Sequence, residues 1–84
     1  MAWFVYIAQA HTVRYYVGIT TDPQARIKKH NNGRGSQFAR QQGPFVLVYV
    51  SQSFITKSEA RRREIQLKGW THEKKTKLIT GEWE

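Results

Sequence analysis

The sequence contains no cysteine. That removes a disulfide framework, a thiolate zinc site and a cysteine nucleophile together. It suits a reducing compartment, and a cytoplasmic location is expected. Acids are scarce: six Asp and Glu stand against fourteen Lys and Arg, a formal charge of +8. Long apolar runs are missing too. The longest, Phe45 to Val50, falls far short of the ~20 residues a spanning helix needs, so no membrane partner is expected. Ala8-Gln9-Ala10 imitates a signal cleavage site. The stretch before it has no Lys or Arg and contains Trp3, Phe4 and Tyr6, which reads instead as a strand. No linker, repeat or low-complexity segment interrupts the 84 residues, and a single domain over residues 1–84 is expected.

What is present is aromatic and basic. A chain this short buries only ~60–65% of its unfolded surface, so the three Trp, four Tyr and four Phe carry much of the core. The cations run from Arg14 to Lys77 rather than forming one block. A folded basic surface of this kind is the footprint of a polyanion, and nucleic acid is favoured over an acidic membrane.

Residues 3–9 and 14–20 are rich in β-branched and aromatic residues and read as paired strands. Thr21 or Asp22 caps a helix with Pro23 in its first turn and Gln24 placed to close a capping box; Asn31-Asn32-Gly33 ends it. Gly33 to Gly43 is a basic connection with a helical turn expected around Phe38. A third strand runs from Phe45 to Ser51. Thr56-Lys57-Ser58-Glu59 is a second capping box opening a helix to about Lys68, and a last helix follows Thr71 and ends near Ile79. The order β-β-α-β-α-α predicts an α+β fold with a small, mostly antiparallel sheet.

The acids can be sorted by elimination. Asp22, Glu59 and Glu73 fall in first turns of helices, where capping and the macrodipole explain them. Glu82 and Glu84 are terminal. Glu64 is left, which argues against two metals bridged by several carboxylates. One metal held by one carboxylate, water and a substrate phosphate stays open. Glu64 shares a helical stripe with Ala60 and Leu67, where a carboxylate needs a partner or a purpose. A salt bridge to Lys68 at i+4 would be sufficient.

Arg26 and His30 stand at i, i+4 and share a helix face. Arginine suits bidentate phosphate contact, and histidine can act as acid or base near neutral pH. Tyr6 and Tyr16 share a sheet face only if the turn between them has odd length. A three-residue turn at His11-Thr12-Val13 brings them together; a two-residue turn at His11-Thr12 does not. Gly18 allows close approach of a substrate or another element.

This set resembles the GIY-YIG nuclease family. Val5-Tyr6-Ile7 stands where that family has its Gly-Ile-Tyr block, with Phe4-Val5 replacing Gly-Ile, and Tyr16-Val17-Gly18 matches the Tyr-Ile-Gly block. Arg26, His30 and Glu64 match the helix arginine, the following histidine and the metal-binding glutamate. The similarity covers roughly residues 3–68, and Ser58 to Glu64 resembles small stand-alone bacterial members, with which Asn31, Arg40 and Gly43-Pro44 are in keeping.

The resemblance implies a three-stranded antiparallel sheet and hydrolysis of phosphodiester bonds dependent on one Mg²⁺ or Mn²⁺ at Glu64. It gives Arg26 to the phosphate, Tyr6 or Tyr16 to the attacking water, and His30 to supporting hydrogen bonds. Gly18, Arg40, Arg61, Arg62, Arg63 and Lys68 would contact nucleic acid, DNA ahead of RNA. Members that cut defined targets often carry a further recognition domain, so a protein partner for targeting is also expected. Two competing readings are a non-catalytic nucleic-acid-binding module and an interaction domain for a repair partner.

Overall fold

The computed structural model describes residues 1–32 and 44–82. The element order is β1 (Phe4–Ala10), β2 (Tyr15–Thr20), α1 (Pro23–Asn31), β3 (Phe45–Val50), α2 (Lys57–Lys68) and α3 (His72–Ile79). The strands form one antiparallel sheet in the order β2-β1-β3. This is the expected α+β arrangement. The helical turn expected around Phe38 lies outside the described residues.

β1 is central and covered on both faces, which explains its unbroken apolar run from Phe4 to Ala8. Val5 and Ile7 pack with Ala60 and Leu67 of α2 and Leu78 of α3. Tyr6, Ala8 and Ala10 alternate to the opposite face, where they meet Phe45, Tyr16, Leu47 and Ile27 of α1. The sheet is therefore sandwiched between α1 and the α2–α3 pair.

The β1–β2 register pairs Tyr6 with Gly18 and Ala8 with Tyr16. The intervening loop is thus the three-residue turn His11-Thr12-Val13. Val13 N–H donates to Ala10 O and Ala10 N–H to Arg14 O, each at 2.9 Å, and Val13 adopts φ 75°. A left-handed residue closing a three-residue hairpin loop is a favoured geometry, though valine is a strained occupant.

β3 carries a bulge that the strand pattern did not disclose. Ile7 pairs with Tyr49 but Ala8 pairs with Leu47, leaving Val48 extra. Residues two apart on a regular strand share a face. The bulge instead sends Leu47 to the α1 face and Tyr49 to the α2–α3 face.

The caps are local. Asp22 is the α1 N-cap and accepts from Ala25 N–H at 3.2 Å. With the cap at Asp22 rather than Thr21, the third helical position is Ala25, and the capping box expected through Gln24 does not form. Thr56 and Glu59 do form the α2 box, and Thr71 caps α3. The first α3 residue also docks on the hairpin. His72 stacks on Tyr15 with centroids 4.2 Å apart, and its Nε2–H donates to Val13 O at 3.1 Å.

Candidate active site

Tyr6 is the centre of the candidate site. Its ring lies directly over Gly18 on β2: a Cβ built there would stand 2.6 Å from Tyr6 Oη. The close approach foreseen at Gly18 is thus made by the chain's own tyrosine. Tyr6 is buried. Burial pushes its phenol above the ordinary value, the Arg26 guanidinium draws it down, and the Glu64 carboxylate pushes it up. Burial prevails, so the hydroxyl remains protonated at neutral pH. The phenol sits in the field of one exposed cation from α1 and one buried anion from α2.

Glu64 is 5% exposed and lies on the buried stripe with Ala60 and Leu67, while Ile65 faces solvent at 63%. Its Oε1 accepts from Arg61 Nη1 and its Oε2 faces Lys68 Nζ, each at 3.3 Å. The expected Lys68 pair is present with a second cation added. Both cationic side chains are more than half exposed. Among the described residues no three His, Cys, Asp or Glu side chains group to hold a metal.

On the α1 face, Phe45 links two of the polar candidates. Tyr16 meets its ring edge-on at 5.4 Å, and the His30 ring lies 5.4 Å from it on another side. Burial, then Arg26, then Lys29 lower the His30 pKa from 6.5. His30 Nδ1 is buried with no hydrogen-bond partner among the described residues. Neither Phe45 nor Asn31 was selected as a site residue from the sequence. Asn31 acts as a clamp: its side-chain amide donates to Phe45 O at 2.9 Å and its Oδ1 accepts from Phe45 N–H at 2.6 Å. This pairing ties the end of α1 to the start of β3 and so fixes the Phe45 ring between Tyr16 and His30.

The remaining basic candidates divide. Arg61 and Lys68 join Glu64. Arg62 is exposed on α2. Arg63 turns away, to Gln66 and the Trp70 ring. Arg40 lies outside the described residues.

Residues 2–77 match the GIY-YIG catalytic domain family. The chain is 41% identical over 76 residues to a UPF0213 protein of Staphylococcus epidermidis, covering 90% of this chain and 92% of the relative. A UPF0213 protein of Staphylococcus haemolyticus is similar to the same degree. The solution structure of a UPF0213 protein from Bacillus halodurans superposes with a TM-score of 0.59 at 40% identity, covering 95% of this chain and 84% of that one. A second solution structure, of a protein from E. faecalis, gives 0.62 at 27% identity with the same coverage. Matched over residues 2–77 and 41% identical to relatives across most of both chains, the chain belongs to the GIY-YIG nuclease family, in its small UPF0213 group.

Proposed function

We propose that this protein is a metal-dependent endonuclease that hydrolyses phosphodiester bonds of nucleic acid, DNA ahead of RNA, in the cytoplasm. One observation carries the reading: a buried tyrosine seated on a glycine lies in the field of both an arginine and the one acid that is buried among the described residues.

Glu64 fits a single Mg²⁺ or Mn²⁺ as its one protein ligand, with water and the substrate phosphate completing the shell. Such ions are commonly held by one or two carboxylates and substrate. When bound, the ion would polarise the scissile phosphate and stabilise the leaving oxygen. Arg26, exposed on α1, contacts the phosphate and stabilises charge that develops on it. Tyr6, held as a phenol, orients the attacking water by donating to it. Tyr16 lines the same wall, and the His30 Nδ1 atom supplies a further hydrogen bond. Arg61, Arg62, Arg63, Lys68 and Arg40 hold the nucleic-acid backbone. A protein partner, such as a repair factor, supplies targeting.

The test incubates branched, single-stranded and duplex DNA with Mg²⁺ or Mn²⁺. Wild type should cut at least one of them, and Glu64→Gln should lower the rate at least about a hundredfold while leaving the fold intact. The paired Arg61 and Lys68 give Glu64 a sufficient structural reason to be an acid, which favours the non-catalytic binding module as second reading. That reading prevails if wild type binds DNA but never cuts it, and Glu64→Gln behaves identically.

A further inference from the structure

A cavity of about 560 Å³ opens on the β3 side of α2, lined by Tyr49, Ser51, Gln52, Phe54 and Arg63. That volume suits a small-molecule-sized ligand, whose sites span ~300–1,000 Å³. The lining is held by backbone and is preformed. Ser51 N–H donates to Val5 O at 2.8 Å, and Ser51 Oγ accepts from Val5 N–H at 2.9 Å. Phe54 is fixed by two main-chain bonds to Trp3, at 2.9 and 2.7 Å. The bulge at Val48 is what turns Tyr49 to this side.

Arg63 is oriented before any ligand arrives. Its Nη1 donates to Gln66 Oε1 at 2.7 Å, and its guanidinium lies 5.2 Å from the centroid of the Trp70 ring. Lys74 Nζ stands 4.3 Å from the same centroid. The cavity thus has two aromatic side chains, a hydroxyl, an amide and a guanidinium, and among the described residues no carboxylate lines it.

We infer that this cavity is a subsite for one unpaired nucleotide next to the strand being cut. This rests on the nuclease reading. The base lies against Tyr49 and Phe54, the Gln52 amide meets its edge, and Arg63 takes its phosphate. Aromatic faces accept any base, and a planar guanidinium matches a phosphate in a bidentate fork. A base inside a duplex is paired and stacked and cannot enter such a cavity without leaving the helix. Arg63 adjoins Glu64 in sequence on α2, about 100° round the helix from it, so the cavity and the Glu64 site lie on neighbouring sides of one helix. A substrate with a single-stranded flank can occupy both, and a fully paired duplex cannot.

Fluorescence anisotropy without divalent metal tests this with three ligands: a paired duplex, the same duplex with a DNA flank, and the same with an RNA flank. Wild type should bind at least one flanked form more tightly than the paired form. Phe54→Leu keeps apolar bulk but loses the aromatic face, and should weaken that flanked form about 5- to 100-fold with paired-duplex affinity unchanged. Gln52→Ala alters an exposed side chain, does not put folding at stake, and should act in the same direction. A loss on either flank supports the subsite and identifies the strand that enters. Equal affinities across wild type, Phe54→Leu and Gln52→Ala for flanked duplex overturn the subsite alone. No binding of any nucleic acid by wild type overturns both the subsite and the nuclease reading.

Discussion

Gly18 has a physical reason to lack a side chain. An added Cβ would lie 2.6 Å from Tyr6 Oη and 2.8 Å from its Cζ, distances that real Cβ atoms do not tolerate. Tyr6 is buried and its ring is rigid, so Gly18→Ala must displace the ring from beneath the influence of Arg26 and Glu64. The expected loss is about 1–3 kcal/mol in urea denaturation, the range of overpacked sites, with cleavage falling further than stability alone explains. His30 offers a second residue-scale test, in pH. Its folded pKa lies below 6.5, from burial first and from Arg26 and Lys29 next. Between the folded value and 6.5 the unfolded chain binds more protons, so stability rises with pH across that window. The contribution is intact above 6.5 and is lost as pH falls through 6.5 toward the folded value. NMR titration of the His30 ring should give a midpoint below 6.5, and Arg26→Ala should raise it more than Lys29→Ala. A midpoint at or above 6.5 contradicts the assignment.

At the scale of elements, the hairpin turn decides the site, because its odd length puts Tyr6 and Tyr16 on one face. Its third residue, Val13, sits at φ 75° and is 57% exposed. A β-branched residue there carries strain of about 1–2 kcal/mol, and glycine relieves it at an entropic cost of ~0.5–1 kcal/mol. Val13→Gly should therefore raise stability by about 0.5–1 kcal/mol in equilibrium denaturation without moving the tyrosines. A destabilised variant would mean that the Val13 side chain contributes contacts that outweigh the strain. The same element shows the reach of sequence reasoning. Composition located both strands, but the turn could be two or three residues long, since no Asn-Gly or Gly marks its type. The Asp22 and Thr56 caps were legible because capping is local chemistry; only the choice between Thr21 and Asp22 stayed open. The Val48 bulge was invisible, because it is set by how β1 and β3 meet across 40 residues of chain. With the bulge went the cavity that Tyr49 lines. The Tyr6, Tyr16, Arg26, His30 and Glu64 set was legible only as spacing. Phe45, between Tyr16 and His30, is a tertiary consequence that Asn31 imposes.

Across the whole molecule, the candidate site draws on the sheet and two helices: Tyr6 and Tyr16 come from the strands, Arg26 and His30 from α1, and Glu64 from α2, whose carboxylate acts on the Tyr6 phenol. Lys or Arg stands on all three helices, while Asp22, Glu59 and Glu73 are confined to helix starts. The acids are thus placed against helix N-termini and offset little of the surface charge. A polyanion held by such a surface releases counterions, and the logarithm of its affinity should fall linearly with that of salt. The individual slopes separate the roles of the arginines on α2. Arg62 is exposed and its full charge is available to a phosphate; Arg62→Ala should reduce the slope on duplex DNA by about 0.9. Arg61 spends part of its field on Glu64 at 3.3 Å, so Arg61→Ala should reduce the slope by less. With Glu64→Gln in place that carboxylate no longer competes, and the Arg61→Ala effect should grow toward that of Arg62→Ala. Anisotropy titrations of both parents and of each arginine variant in both backgrounds, six proteins in all, from about 50 to 200 mM salt, where such slopes are well resolved, measure this directly. Equal Arg61 and Arg62 slopes in both backgrounds would show that Glu64 does not draw on Arg61 when nucleic acid is bound.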